Sequence, residues 1–267
     1  MVIVMYGYNL QRLLGDKRKI LIILFLLLLP SIEVIQYIYE KNAFGVELPY
    51  PLYATFLSCY ARGHIFHSIY FWILPIYILI LTIETCVEDY TTGNKNIIMS
   101  RIGKEKYSVM RICEGFLVPF FIVLLGLLLN MVFVMIVCRG GTATIYGNHP
   151  LIFNKDTMPD TLLFKISYEH PMITNIIYAL FTALYAGIIG ISATVMSFVI
   201  YDRRVIYGIN FVVWFIQIMF KNSILLLFQP FIEYGFAVIV PLFLWSLGVY
   251  LMIIMFFWMG EKIFVEV

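Results

Sequence analysis

The chain has 267 residues, of which 62% are hydrophobic and 13% charged, with a mean hydropathy of +0.93. Soluble domains carry about 25% charged residues, so this composition excludes an ordinary cytosolic domain. The net charge of +2 is small and gives no basis for binding nucleic acid; its distribution along the chain matters more.

Long uncharged apolar stretches alternate with short segments that hold most of the charge. A helix rising 1.5 Å per residue crosses a bilayer core of about 30 Å in about 20 residues, and every backbone amide there needs an internal partner. The pattern predicts an all-α, polytopic membrane protein with six spans, forming one domain over residues 1–267.

Span 1 is expected at Ile20–Tyr39, too long for a signal-peptide core and not followed by a small-residue cleavage site. It carries Glu33, about 20 Å past Ile20. An ionisable group at that depth usually faces protein or water, where it would meet substrate or a second protomer. The other reading tilts or lengthens the span and puts Glu33 at the headgroups beside Glu40. Pro30, one turn earlier, is a site for a kink. The aromatic-rich loop Glu40–His64 is expected at headgroup level. Span 2 follows at Ile65–Val87, and His64 and His67 at its start read as interfacial rather than as metal ligands.

The connection to span 3, Glu84–Gly115, reads ETCVEDYTTGNKNIIMSRIGKEKYSVMRICEG. Glu84 and Glu88 stand at i, i+4 and read as solvated or paired helix ends. A turn at Thr91-Thr92-Gly93 leads to a short apolar-basic stretch that Gly103 breaks. Ile97, Ile98, Arg101 and Ile102 lie at helical spacing, so a short helix would set an apolar ridge beside a basic face. The other reading is a basic interfacial loop held by anionic lipid headgroups.

Span 3 is expected at Phe116–Cys138, then an irregular outer loop over Arg139–Pro171, then span 4 at Ile173–Ile200. Span 5 is short: Val205–Phe220 is sixteen uncharged residues, about 24 Å as helix. Either Lys221 snorkels from one longer helix, or Asn222–Tyr234 dips back as a re-entrant element broken at Pro230. Span 6 is expected at Phe236–Met259. Twelve of the 18 basic residues fall on the side of the N-terminal segment and the span 2–3 connection, which places both termini in the cytoplasm. The four cysteines lack metal-ligand spacing and read as packing residues.

No G-x-x-x-x-G-K-[ST] phosphate loop, H-E-x-x-H or G-x-S-x-G motif occurs in the chain. Spans 3, 4 and 6 hold almost no ionisable residue, which leaves a stand-alone ion-coupled carrier little to work with. An intramembrane enzyme and a secondary transporter remain the alternative classes.

In the order of its parts the chain resembles the permease subunit of type-2 ABC exporters, the ABC-2 permeases. The likeness rests on Asp89, Gly93, Ile98, Arg101, Tyr107 and Arg111, within a basic N-terminal segment, a helix between spans 2 and 3, and a short element before the last span. It implies that Tyr8–Lys19 lies along the membrane surface. It also implies that Asn94, Ile97, Ile98, Met99, Arg101, Ile102 and Gly103 form a coupling helix against a separate ATP-binding subunit. ATP and its magnesium would then belong to that partner, so no cofactor is expected in this chain. A second permease protomer and membrane lipid complete the implied partners. The implied activity is export across the cell membrane of a hydrophobic or amphipathic substrate, a peptide or antimicrobial, with lipid or polysaccharide export as the alternative.

Overall fold

A computed structural model describes residues 11–44, 50–59, 64–143, 164–231 and 234–264. The described chain is all-helical. A helical turn over residues 11–15 precedes α1 (Lys17–Phe44), followed by α2 (Ile65–Trp72), α3 (Leu74–Thr91), α4 (Asn94–Ile102) and α5 (Lys104–Val137). Then come α6 (Phe164–Glu169), α7 (Pro171–Val199), α8 (Arg203–Met219) and α9 (Phe236–Phe264). Most of the expected outer loop Arg139–Pro171 lies outside the described residues, as do Tyr8 to Leu10 of the N-terminal segment.

Five segments are long and apolar enough to cross a membrane: Lys17–Glu40, Ile65–Thr91, Lys104–Val137, Pro171–Val199 and Phe236–Glu261. This is the build of a multi-pass membrane protein. The expected fifth span is the exception, because α8 has 17 residues and stops at Met219. Beyond it the backbone turns extended at Phe220, and a 3-10 turn follows at Ile224–Leu227. Ser223 begins that turn, its hydroxyl accepting from the Leu225 amide. Phe228 is then fully buried among Phe71, Tyr185 and Trp214, with ring centroids 5.3, 5.3 and 6.0 Å away.

The core is built around α7, which packs against α3, α5, α8 and α9. Ala179, Ala183, Ala186, Gly190 and Ala193 recur on its buried face, and small side chains let neighbouring helix backbones approach. The closest approach is with α5: a Cβ at Gly190 would collide with the Gly115 carbonyl oxygen. On its other side α5 packs against α1.

Three prolines inside the bundle share one device. A proline has no N–H, so it leaves the carbonyl four residues earlier without its helical donor. Pro75 frees the carbonyl of Phe71 and separates α2 from α3, dividing in two what the sequence suggests is one span. The Trp214 indole of α8 donates to that carbonyl at 2.8 Å. Pro30 frees Leu26, and a Cβ at Gly126 of α5 would stand 2.5 Å from the Leu26 oxygen. Pro119 frees Gly115, which meets Gly190 of α7. The two glycines thus point a Cα–H at a freed carbonyl. Pro30 does not break α1, and its own carbonyl accepts from the Asn130 side-chain amide at 2.7 Å.

The loop before α2, expected at headgroup level, packs into the protein. Tyr53, Ala54, Phe56 and Leu57 are all buried. Asn130 accepts from the Phe56 amide at 2.8 Å, and Asn175 donates to the Tyr53 carbonyl at 2.9 Å. Two asparagines from spanning helices thus satisfy backbone groups that would otherwise be stranded in an apolar setting.

Candidate functional site: an exposed helix on a buried ionic cluster

Helix α4 forms where the sequence leads one to expect it, and glycine bounds it at both ends. Gly93 has φ +74° and Gly103 has φ +87°, a region that L side chains rarely adopt. Gly103 is therefore the joint between α4 and α5, and Lys104 to Met110, expected to lead into span 3, are instead its first helical residues. No side chain of α4 is buried. Asn96, Ile97, Ser100 and Arg101 are exposed, and Asn94, Ile98, Met99 and Ile102 are half-buried. The expected contact residues from Asn94 to Ile102 thus sit on one exposed helix, and Gly103 caps its end.

Beneath α4 lies a cluster of charges. Asp89, in the last turn of α3, is fully buried. Its Oδ1 accepts from Arg12 Nη1 at 2.6 Å and its Oδ2 accepts from Arg111 Nη2. The Tyr107 hydroxyl donates to the same Oδ2 at 3.5 Å, and the Arg111 guanidinium stands 5.5 Å from the Tyr107 ring centre. Arg111 also donates to Glu114 at 2.8 Å, and Arg12 to Glu88 at 2.7 Å. Burial pulls the Arg12 guanidinium down, but the carboxylates of Asp89 and Glu88 more than reverse this, so its pKa stands above the usual value. The cluster ties the end of α3, the start of α5 and the N-terminal segment together, with α4 bridging two of them.

Further contacts bring in the remaining helix ends. Tyr90 and Tyr201 stack with centroids 3.7 Å apart, and Lys95 of α4 stands 5.9 and 5.7 Å from the two rings. Burial holds the Lys95 ammonium below its ordinary pKa. Ser108 donates to Glu261 of α9 at 3.0 Å. Glu84 accepts from Arg203 at 3.1 Å and from the Tyr207 hydroxyl at 3.2 Å. Polar contacts thus join the ends of α3, α5, α8 and α9 around α4, which itself contributes Lys95. Arg12 has no sequence signal for this role; its partner lies 77 residues away.

The other candidates stand apart from this cluster. Glu33 is 1% exposed, inside the chain's own packing, and Tyr37 donates to it at 3.5 Å. His64 is exposed at the start of α2, whereas His67 is buried with its ring 4.6 Å from that of Phe71. Among the described residues no three His, Cys, Asp or Glu side chains gather as a metal-binding group. Cys59, near Glu33 and half-buried, has its thiol pushed up to about 12 by burial and by the Glu33 charge.

No protein-family profile matches the chain, and no solved structure matches it. The uncharacterised protein YybM of Bacillus subtilis (strain 168) is 29% identical over 246 residues, covering 92% of this chain and 94% of its own length.

Proposed function

We propose that this chain is the membrane-spanning permease subunit of an ATP-driven exporter, energised by a separate ATP-binding subunit that docks on α4. The observation that carries the reading is an exposed nine-residue helix strung between α3 and α5, whose adjoining ends are joined by buried charge. An exposed amphipathic element that is rigidly coupled to a bundle suits a part that receives force from outside the chain. Arg101 is its exposed basic anchor and Ile97 its exposed apolar one.

In this reading α4 and both termini face the cytoplasm, in keeping with the basic residues gathered at that end. The α8 helix makes a sixth crossing and the turn at 220–231 is the re-entrant element. An apolar cavity of about 260 Å³ between α7 and α9, lined by Phe181, Leu227, Ile239 and Phe243 among others, favours a hydrophobic or amphipathic substrate, a peptide or antimicrobial. The working unit pairs this chain with a second permease protomer in the cell membrane.

The test is a mild-detergent pull-down of the tagged protein from its host, read by mass spectrometry and ATP turnover. Wild type should retain an ATP-binding subunit. Arg101→Glu should retain at least tenfold less while inserting in the membrane to the same level. Wild type that retains no ATPase, or Arg101→Glu that retains it undiminished, would overturn the proposal.

A further inference from the structure

A groove of about 670 Å³ opens beside the ionic cluster, where the start of α1, the end of α3 and the link from α7 to α8 meet. Four cations line it: Arg18, Lys19, Arg203 and Arg204. Four carboxylates line it as well, and each is engaged: Asp16 with Arg18, Glu84 with Arg203 and Tyr207, Glu88 with Arg12, and Asp202 as the cap that accepts from the Arg204 amide at 2.9 Å. Lys19 and Arg204 make no ion pair among the described residues. Lys19 is only 2% exposed, so a cation is held in the protein wall with no carboxylate within ion-pair distance.

The groove continues into an apolar track. Both α1 and α8 pack on α3. Between Leu74 and Val87 the half-exposed residues of α3 are Ile76, Ile80, Glu84 and Val87. Their spacing of four, four and three puts them on one helix face, which runs from the charged groove toward the middle of the bundle. Within about two turns of the cations, α1 exposes Leu21 and Leu24, and α8 exposes Val205 and Val212. Unpaired cations above an apolar face match a molecule with an anionic head and a hydrocarbon tail.

We propose that this groove holds the phosphate headgroup of an anionic phospholipid from the leaflet at the α4 end, with Lys19 and Arg204 as its cationic ligands and an acyl chain along Ile76 and Ile80. Basic pockets between spanning helices recognise such headgroups, each cation adding to the attraction. The site needs only the membrane location and does not depend on the ATPase partner.

The full-length protein, purified in mild detergent, is titrated with phosphatidylglycerol and phosphatidylcholine, and bound lipid is counted by native mass spectrometry. Wild type should prefer phosphatidylglycerol by about tenfold or more. The pair Lys19→Gln with Arg204→Gln should lose that preference, and Lys106→Gln, an exposed cation outside the groove, should keep it. Arg204 is exposed, so Arg204→Gln alone serves if the pair does not fold, and it should weaken retention severalfold. Equal binding of the two lipids, or undiminished phosphatidylglycerol in Arg204→Gln, would overturn the site. Displacement of the lipid by millimolar inorganic phosphate would mark a soluble phosphate site instead. Displacement by a co-purified protein would mark a protein interface. Either displacement would overturn the lipid assignment.

Discussion

Asp89 is a carboxylate with no exposure, held by two guanidinium groups and a phenol. Taking a charge out of water is costly, and partners make it tolerable. Replacing Asp89 with Ala would leave Arg111 buried and uncompensated on that side, a loss of about 3–5 kcal/mol. Glu88 also pairs with Arg12, but its side chain is 58% exposed, so Glu88→Ala should cost at most about 1 kcal/mol. Thermal unfolding followed in detergent should separate the two variants clearly; equal losses would show that the cluster is solvated rather than buried. At this scale the sequence was partly legible. Asp89 and Arg111 flank the loop and stand out there. Arg12 and the pairing of Glu84 with Arg203 depend on long-range packing, which local spacing does not encode.

At the scale of elements, the proline-freed carbonyls make contacts that can be tested by exchange. Trp214→Phe should destabilise the protein by about 1–3 kcal/mol, because the Phe71 carbonyl loses its tertiary donor in an apolar setting. Pro75→Ala restores an N–H at the position that would bond Phe71. Combining it with Trp214→Phe should recover a large part of the loss, and a strictly additive pair would refute the assignment. Glycines offer a second contrast. Gly190→Ala should cost about 1–3 kcal/mol, because its Cβ meets the Gly115 carbonyl. Gly208→Ala, with nothing within 4 Å of its Cβ, should be neutral or gain up to about 1 kcal/mol. Measured melting temperatures in the reverse order would contradict the α5–α7 crossing. The sequence suggests α4, bounded by Gly103, but the break at Ile73 hides inside an unbroken apolar run. Hydropathy reports how far a segment is apolar, and the chain is apolar on both sides of the break.

Across the whole molecule, charge-free runs disclose the long helices because the hydrocarbon core demands them. They disclose α8 too, as a run too short for a full crossing, and its 17 residues end where Lys221, Asn222 and Ser223 begin a polar turn. They do not disclose the burial of residues 53–57, which depends on Asn130 and Asn175 reaching from separate helices. The prolines carry a consequence for how such a chain enters a membrane. A span inserted alone would hold a bare carbonyl in hydrocarbon, at a cost of several kcal/mol. In the finished bundle the tertiary donor to each of these three carbonyls comes from a later part of the chain: Gly126 for Leu26, Trp214 for Phe71, Gly190 for Gly115. Each of these three spans is therefore incomplete until a later one arrives, so in biogenesis α5, α7 and α8 would each close a gap left by a helix already in place.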